Sequence, residues 1–466
     1  MRGRLGKCVR VLASLVILEF FLHENIAERA ERQYNTLLSE KKKRIQQIAQ
    51  EEISSEITNH LKYFTEMQKS SHVLQHATYT VLVGAALQPK RLLTVGIFSV
   101  QHRNRTYLLD TITSVFQVSS EQDLEYMLIL VLLSDTDPRW LNQTVANISG
   151  LFMPHIESGR LLVVHGLLGG SKAKSRNHTS PCGKVYSRQK TSFALLMNFA
   201  RNLSEYFLLL GDNVQSTPRF LSDIFWVLEA WNQVPWVILD FSSMAISGKV
   251  FHTEDLSRLI SFVLLFPKDI STHLLLSEFR LLLSQNVPIR LNPSLFYRMD
   301  SDFEFEDTCF PVEQDKDLGK PDNPAATVFT DMISLWNTNP QYAYILNGDS
   351  LWVLDAIKYN YLLVVLDKPQ KVIKVAVETG SNENKLNFLK HGQLLLGYSL
   401  MDYPKRCAHY NLVGPLVRGQ LNQMVFYEED SVKEISCIKL LVTASHDHPI
   451  KISQIKVWTE VEEEEN

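Results

Sequence analysis

Cysteine is scarce in this sequence, and the few cysteines present exclude several kinds of site. The chain has 466 residues and five cysteines, none of them in a C-x-x-C pair. The sequence therefore gives no support for a zinc ribbon or a thioredoxin-type redox centre. Cys8 lies in an N-terminal apolar segment. In an oxidising compartment the other four could form up to two disulfides, or they could stay buried thiols, and spacing does not fix a pairing. These four are Cys182, Cys309, Cys407 and Cys437.

The chain also lacks an excess of charge of either sign. It carries 47 Lys and Arg against 51 Asp and Glu, which gives a formal net charge of −4. Nucleic-acid recognition normally needs a basic face, so we expect no nucleic-acid partner. With 45% hydrophobic residues the chain can build a buried core, and its length predicts two or three domains.

Long hydrophobic runs are absent, and one mainly apolar segment lies near the N-terminus. Residues 11–22 form this run, which Glu19 interrupts and which is shorter than the about 20 residues of a membrane span. Basic residues precede it, and basic flanks stay cytosolic. We predict a cytosolic tail and signal-anchor over residues 1–23 of a single-pass type II membrane protein with a lumenal C-terminus. The basic residues are Arg2, Arg4, Lys7 and Arg10.

Two alternatives to the anchor remain, namely a cleaved signal peptide and a cytosolic protein. Small residues at cleavage-site spacing are missing after Leu22, which disfavours cleavage. Five N-x-[ST] sequons agree with exposure to the lumen, where they would be N-glycosylation sites. Their asparagines are Asn104, Asn142, Asn147, Asn177 and Asn202.

Residues 24–89 are predicted to form a helical stem. Apolar residues recur there at steps of three and four, which places them on one face of a helix. This face could pair with another chain as a coiled coil, or it could pack on its own domain. The residues are Ile45, Ala49, Ile53, Ile57, Leu61, Phe64 and Met67.

Strand and helix patterns alternate from residue 90 onward, which predicts an α/β domain over residues 90–310. Such alternation indicates a mostly parallel sheet with covered faces, and ligands bind at the carboxyl ends of its strands. Strands are predicted over 92–100, 126–133, 161–164, 206–210 and 236–239, and helices over 106–116, 139–152, 191–201 and 218–231, with further helical material to about residue 283.

The pattern changes after a polar, Pro- and Gly-containing linker at residues 311–324. Short apolar runs at 361–366, 372–377, 437–442 and 452–458 predict an all-β domain over residues 325–460, arranged as a sandwich. Residues 461–466 form an acidic tail.

The strand predicted at 206–210 ends in the segment Gly211-Asp212-Asn213. An enzyme that transfers a sugar from a nucleotide must neutralise the departing diphosphate. It commonly does so with a divalent cation held by carboxylates at a strand end. Asp212 and Asn213 are therefore the candidate ligands of Mn²⁺ or Mg²⁺.

Several ordered segments resemble the N-acetylglucosaminyltransferase IV family, the alpha-1,3-mannosyl-glycoprotein 4-beta-N-acetylglucosaminyltransferases. The resemblance extends over about residues 90–460. It is carried by residues 95–100, 107–114, 206–213, 236–251, 293–297, 366–369 and 379–380.

The resemblance implies a GT-A-like nucleotide-sugar domain, a C-terminal lectin-like β-sandwich and a location in the Golgi membrane. It further implies UDP-GlcNAc as donor, a divalent metal cation, and transfer of GlcNAc in β1,4 linkage to a core mannose of N-linked glycans. N-linked glycans or glycoproteins are then the expected partners.

The chain departs from the family at the metal motif. Where the family has Glu-Asp-Asp, this sequence has Gly211, Asp212 and Asn213, and fewer carboxylates weaken the binding of a hard cation. A histidine that the family carries farther on is absent near residues 299–302. Asp300 and Asp302 could compensate as ligands, or they could be solvated loop acids.

Three further residues have candidate roles. Asp240 follows the strand predicted at 236–239, where the family has Glu, and could act as the general base or be structural. Arg188 and Lys190 lie in a family-like segment and could contact the diphosphate, or they could belong to an exposed charged helix face.

Two main hypotheses follow for function. The chain is an active N-acetylglucosaminyltransferase with reduced or altered metal dependence, or it is a catalytically inert relative that binds glycans or another Golgi glycosyltransferase and modulates branching. A nucleotide-sugar enzyme with a different acceptor is a third possibility. The degenerate metal motif favours weak or absent catalysis.

Overall fold

The structure is a computed structural model, and it describes residues 77–85, 90–101, 107–168, 182–266, 270–299, 309, 318–380, 387–401, 403, 405–428 and 434–460. The predicted anchor, Cys8, most of the predicted stem, the first half of the linker and the acidic tail lie outside these residues. Within the described part of the chain, no helix is both long enough and apolar enough to cross a membrane.

An eight-stranded mixed sheet organises the first half, with strand order β1-β4-β3-β2-β5-β8-β7-β9. A two-stranded sheet pairs β10 with β6. The strands are β1 Ala77–Val83, β2 Arg91–Ser99, β3 Met127–Leu133, β4 Leu161–Leu168, β5 Ser204–Leu210, β6 Val214–Ser216, β7 Leu239–Asp240, β8 Lys249–His252, β9 Ile289–Arg290 and β10 Phe296–Arg298. The helices are α1 Leu108–Gln117, α2 Glu121–Tyr126, α3 Pro138–Glu157, α4 Gly183–Ala200, α5 Phe220–Trp231, α6 Leu256–Leu265 and α7 Thr272–Leu282.

The centre of this sheet is parallel, as the alternating pattern predicts. Strands β4, β3, β2 and β5 run parallel to one another, and all seven residues of β3 are buried. A strand buried on both faces reads as a continuous apolar run, which is why these elements are visible in the sequence. Capping residues set helix starts: the Ser120 side chain accepts from Asp123 N, and Asp137 caps α3 ahead of Pro138.

Two predictions fail at the margins of the sheet. Ala77–Val83 is an edge strand antiparallel to β4, so the sheet begins inside the region predicted as helical stem. Lys249–His252 is a strand antiparallel to β5, inside the region predicted as helical. The first strand is only partly buried, the second has four residues, and the pairing of both depends on distant partners. Local periodicity does not identify them.

The second half consists of two antiparallel sheets packed over an apolar core, so the predicted all-β region is confirmed. Their orders are β11-β13-β18-β15-β16 and β12-β19-β14-β17. The strands are β11 Ala326–Thr330, β12 Leu351–Val353, β13 Tyr361–Gln370, β14 Val372–Thr379, β15 Gly392–Met401, β16 Arg406–Pro415, β17 Gln420–Met424, β18 Ile435–Val442 and β19 Ile450–Thr459.

The four cysteines that follow Cys8 form two disulfides, which settles the pairing left open by the sequence. Cys182, at the start of α4, bonds to Cys309. Cys407 on β16 bonds to Cys437 on β18. The second bond crosses Gly397 of β15, the strand between them, where a Cβ would lie 2.8 Å from Cys407 Cβ. Glycine is therefore required at that crossing.

The α/β sheet and the sandwich are in direct contact. Asn292 N donates to Asn422 O at 3.1 Å, and Leu291 forms an isolated bridge with Gln423. On α5, Trp231 packs so closely on Gly414 that a Cβ there would lie 2.9 Å from the indole ring. These contacts fix β17 against the segment that follows β9.

Candidate functional site

The adjacent parallel strands β2 and β5 bring Ser99 and Asp212 together at their carboxyl ends. Ile97 is opposite Leu210 in the register, so Ser99 comes level with Asp212 two residues later. Ser99 Oγ donates to Asp212 Oδ2 at 2.6 Å, and the Asp212 residue is only 8% exposed. The candidate metal ligand is therefore a buried carboxylate with one oxygen already hydrogen-bonded.

Two further hydroxyl groups hold this strand tip. Thr111 Oγ1 donates to the Asp212 carbonyl at 2.8 Å and accepts from Val214 N at 3.0 Å. Ser247 Oγ accepts from Gly211 N at 2.9 Å. These serine and threonine side chains belong to no motif that would mark them as site residues in the sequence. They lie in segments 107–114 and 236–251, which carry the family resemblance, and that was the available signal.

The segment leading toward Asp300 returns to the same tip. Strand β10 pairs with β6, directly after Asn213, and Met299 N donates to Asn213 O at 3.0 Å. Asp300 and Asp302 lie outside the described residues, so their role as compensating ligands stays a prediction.

The donor set at the tip is a poor fit for a tightly held divalent cation. Within the part of the chain that the structure describes, the tip offers one carboxylate, that of Asp212, beside the amide of Asn213, and Gly211 has no side chain. Among the described residues, no group of three or more His, Cys, Asp or Glu side chains is arranged to hold a metal. Hard cations take several oxygen ligands, and their affinity depends on carboxylate count. We therefore assign no chemical step to a metal at this tip.

Asp240 ends β7 and forms a buried ion pair. Lys249 Nζ donates to Asp240 Oδ1 at 2.7 Å, and the two residues are 7% and 6% exposed. The two residues are also opposite each other in the β7–β8 register. A buried ion pair of this kind is expected if Asp240 has a structural role. The role of Asp240 as general base stays a prediction.

Arg188 and Lys190 lie on α4 but differ in their surroundings. Arg188 is exposed, whereas Lys190 is buried with 3% exposure. Residues two apart on a helix do not face the same side, so the two cations do not form one surface. The exposed-face alternative therefore holds for Arg188 only, and diphosphate contact by either residue remains a prediction.

Three of the five sequon asparagines fall within the described residues, and all three are exposed. Asn142 and Asn147 lie on the outer side of α3, and Asn202 lies in the turn between α4 and β5. Asn104 and Asn177 lie outside the described residues. The exposed positions leave room for an attached glycan, and modification itself stays a prediction.

A cavity of about 470 Å³ lies between the α/β sheet and the sandwich. It is bordered by α5, by residues 291–295 and by sandwich residues near 379–388 and 415–423. The sequence does not predict this cavity, because its lining comes from segments far apart in the chain. A volume of 300–1,000 Å³ is typical of small-ligand sites.

Comparison with known proteins identifies close relatives over most of the chain. Residues 55–317 match the family model described as the MGAT4 conserved region. The Mus musculus alpha-1,3-mannosyl-glycoprotein 4-beta-N-acetylglucosaminyltransferase-like protein MGAT4E is 37% identical over 79% of this chain and 83% of its own. A Gallus gallus alpha-1,6-mannosyl-glycoprotein 4-beta-N-acetylglucosaminyltransferase is 34% identical over 84% and 88%. The Macaca fascicularis alpha-1,3-mannosyl-glycoprotein 4-beta-N-acetylglucosaminyltransferase C is 30% identical over 97% and 95%.

Among solved structures, the chain is similar to a His 62 mutant of the lectin binding domain of Lectinolysin complexed with Lewis b. That match covers 30% of this chain and 95% of the other, at 15% sequence identity and a TM-score of 0.24.

Proposed function

The chain belongs to the MGAT4 family, and from this membership we propose that it is a Golgi membrane protein of N-glycan branching with weak or no N-acetylglucosaminyltransferase activity. Family membership supports a glycosyltransferase of N-glycan branching. The proposal adds a single-pass type II topology, a GT-A-like donor domain for UDP-GlcNAc and a loss of catalytic power at the tip of β5.

The observation that supports weak catalysis is the state of Asp212. It is the single carboxylate in the Gly211–Asn213 segment, and Ser99 Oγ donates to it at 2.6 Å. A cation would have to compete with this charge-assisted hydrogen bond while gaining one acidic ligand from the segment. Asp240 is likewise engaged, with Lys249, so neither candidate carboxylate is free to take up a new role without breaking a contact.

Restoring the acidic segment tests the proposal directly. A Cβ built on Gly211 lies 3.2 Å from Ser247 Oγ and 3.5 Å from Asn213 Oδ1, so a side chain fits after a small shift of the serine hydroxyl. The full-length protein and the Gly211→Glu/Asn213→Asp variant are titrated with UDP-GlcNAc, with and without Mn²⁺. We expect weak, metal-independent binding for the natural chain and tighter, Mn²⁺-dependent binding for the variant.

A variant that carries Asp212→Asn in addition serves as the matched control and should lose the gain. Transfer to a panel of N-glycan acceptors is measured with the same proteins. Tight Mn²⁺-dependent binding together with efficient GlcNAc transfer by the natural chain would overturn the proposal.

The alternative is a non-catalytic protein that binds glycans or another Golgi glycosyltransferase. The specific feature that favours it is the cavity between the two halves, which lies apart from the Asp212 tip in its lining residues. If the restored variant gains neither donor binding nor transfer, this alternative becomes the better account.

A further inference from the structure

The cavity between the α/β sheet and the sandwich combines aromatic faces with amide side chains. Trp226 comes from α5 and Phe388 from the sandwich, while Asn292 and Asn422 come from opposite sides of the contact. Both halves of the protein therefore contribute to one lining. A mostly apolar pocket with a few convergent polar groups is the usual form of a small-molecule site.

One polar atom of this lining has no partner. Asn422 Oδ1 is buried and accepts no hydrogen bond, although its own backbone carbonyl accepts from Asn292 N. A buried acceptor left without a donor costs stability, and native structures rarely tolerate it without a reason. This oxygen has almost no solvent-accessible surface, so the Asn422 side chain would have to rotate toward the cavity for a ligand hydroxyl or amide N–H group to supply the missing donor.

The charged groups of the lining balance each other. Arg418 lies over the Trp226 ring with its Cζ 5.3 Å from the centroid. Asp223 also borders the cavity, and burial raises the pKa of its carboxyl, while the charges of Arg219 and Arg418 oppose that change. One acid and one base on the lining give no net attraction for a phosphate, and the amides do not suit a lipid chain.

We propose that this cavity binds a neutral saccharide unit. The apolar face of a sugar ring would pack on Trp226 or Phe388, and its hydroxyl groups would donate to Asn422 Oδ1 and exchange hydrogen bonds with Asn292. Amides donate and accept in equal measure, as sugar hydroxyls do. Because the lining comes from both halves, an occupied cavity would also strengthen their contact.

The choice of sugar rests on the proposed function in N-glycan branching, whereas the site itself does not. Its binding requires neither UDP-GlcNAc nor a metal, and none of its lining residues belongs to the Asp212 tip. If the UDP-GlcNAc titration fails, the saccharide proposal is therefore unaffected. If no saccharide binds, the proposal of weak transferase activity is likewise unaffected.

The test is saccharide binding by the full-length protein, held in a detergent without a sugar headgroup. The probes are N-acetylglucosamine, N,N′-diacetylchitobiose and α-mannobiose, with UMP as an anionic comparison, followed by saturation-transfer NMR and calorimetry in the presence of EDTA. We expect at least one neutral saccharide to bind and UMP to bind more weakly. Trp226→Ala should weaken the saccharide by about tenfold, the loss of one aromatic contact.

Trp336→Ala is the matched control, because Trp336 is 76% exposed and does not line the cavity. Its affinity should equal that of the natural chain. Asn422→Ala provides a second variant that keeps the aromatic face, in case Trp226→Ala unfolds, and it should also weaken binding. Absence of binding by every neutral probe, or a loss in Trp336→Ala equal to that in the cavity variants, would overturn the proposal.

Discussion

Replacing Lys249 by methionine should destabilise the α/β half more than the removal of any exposed charge does. Lys249 and Asp240 are 7% and 6% exposed and are joined at 2.7 Å. Removing one member of a buried ion pair leaves the other charge without compensation, which costs about 3–5 kcal/mol. Burial lowers the pKa of the Arg280 guanidinium, and the nearby Asp240 carboxylate partly offsets that change, so the two groups interact. The charge of Arg280 should keep the loss near the lower end, at about 3 kcal/mol.

Urea unfolding followed by tryptophan fluorescence measures this loss. Lys456→Met is the matched control, since Lys456 pairs with Glu378 through side chains that are 26% and 44% exposed, and such a pair contributes about 0–1 kcal/mol. The double variant Lys249→Met/Asp240→Leu should recover much of the stability, because an apolar pair can replace a buried ion pair.

The structural assignment of Asp240 depends on the difference between the two single variants. If Lys249→Met shifts the unfolding midpoint no more than Lys456→Met does, the ion pair does not hold this part of the fold. The hypothesis that Asp240 serves as a general base would then gain support, because its carboxylate would be available.

Three more predictions follow from particular contacts. Ser99→Ala removes the hydrogen bond to the buried Asp212 carboxylate and should lower the free energy of unfolding by about 1.5–3 kcal/mol in urea titrations. Gly248→Ala should cost more than about 1 kcal/mol, because φ is +82° and the new Cβ would lie 2.5 Å from Ser242 Cβ. His446 is buried, and its pKa is lowered by that burial first, so stability should fall as the pH drops from about 7 toward 5.

The two substitutions, Gly248→Ala and Ser99→Ala, each have a matched control. Gly150→Ala on α3 meets nothing within 4 Å and should stabilise by about 0.5–1 kcal/mol, the opposite sign to Gly248→Ala. Ser119→Ala, which removes a hydrogen bond to a neutral carbonyl, should cost less than Ser99→Ala. Equal effects within either pair would contradict the assignment.

The sign of the pH effect follows from proton binding. In the unfolded chain the histidine has a pKa of about 6.5 and binds a proton below that pH. In the folded state the pKa of His446 is lower, so the folded protein binds this proton only at a more acidic pH and loses stability in between. His446 Nε2 also accepts from Lys390 N at 3.0 Å, and the rings of His391 and His448 lie beside it, so protonation breaks a contact and adds repulsion. His446→Gln should flatten the dependence of the urea midpoint on pH, and an unchanged slope would show that other groups carry it.

The sequence by itself predicted the features that depend on local patterns. A strand buried on both faces, such as Met127–Leu133, is an uninterrupted apolar run, and the alternation of such runs with helical spacing predicted the α/β half. The short apolar runs after residue 325 predicted the all-β half. The ordered segments that resemble the N-acetylglucosaminyltransferase IV family predicted the family, which comparison confirmed.

Tertiary structure alone decided which distant residues meet. The strands Ala77–Val83 and Lys249–His252, the two disulfide pairings and the contact of Ser99 with Asp212 each bring together residues that are about 30 or more positions apart in the chain. The cavity needs a helix from one half and loops from the other. Periodicity reports which face of an element is buried, whereas partner and register follow from the packing of the whole core, which no local window of sequence contains.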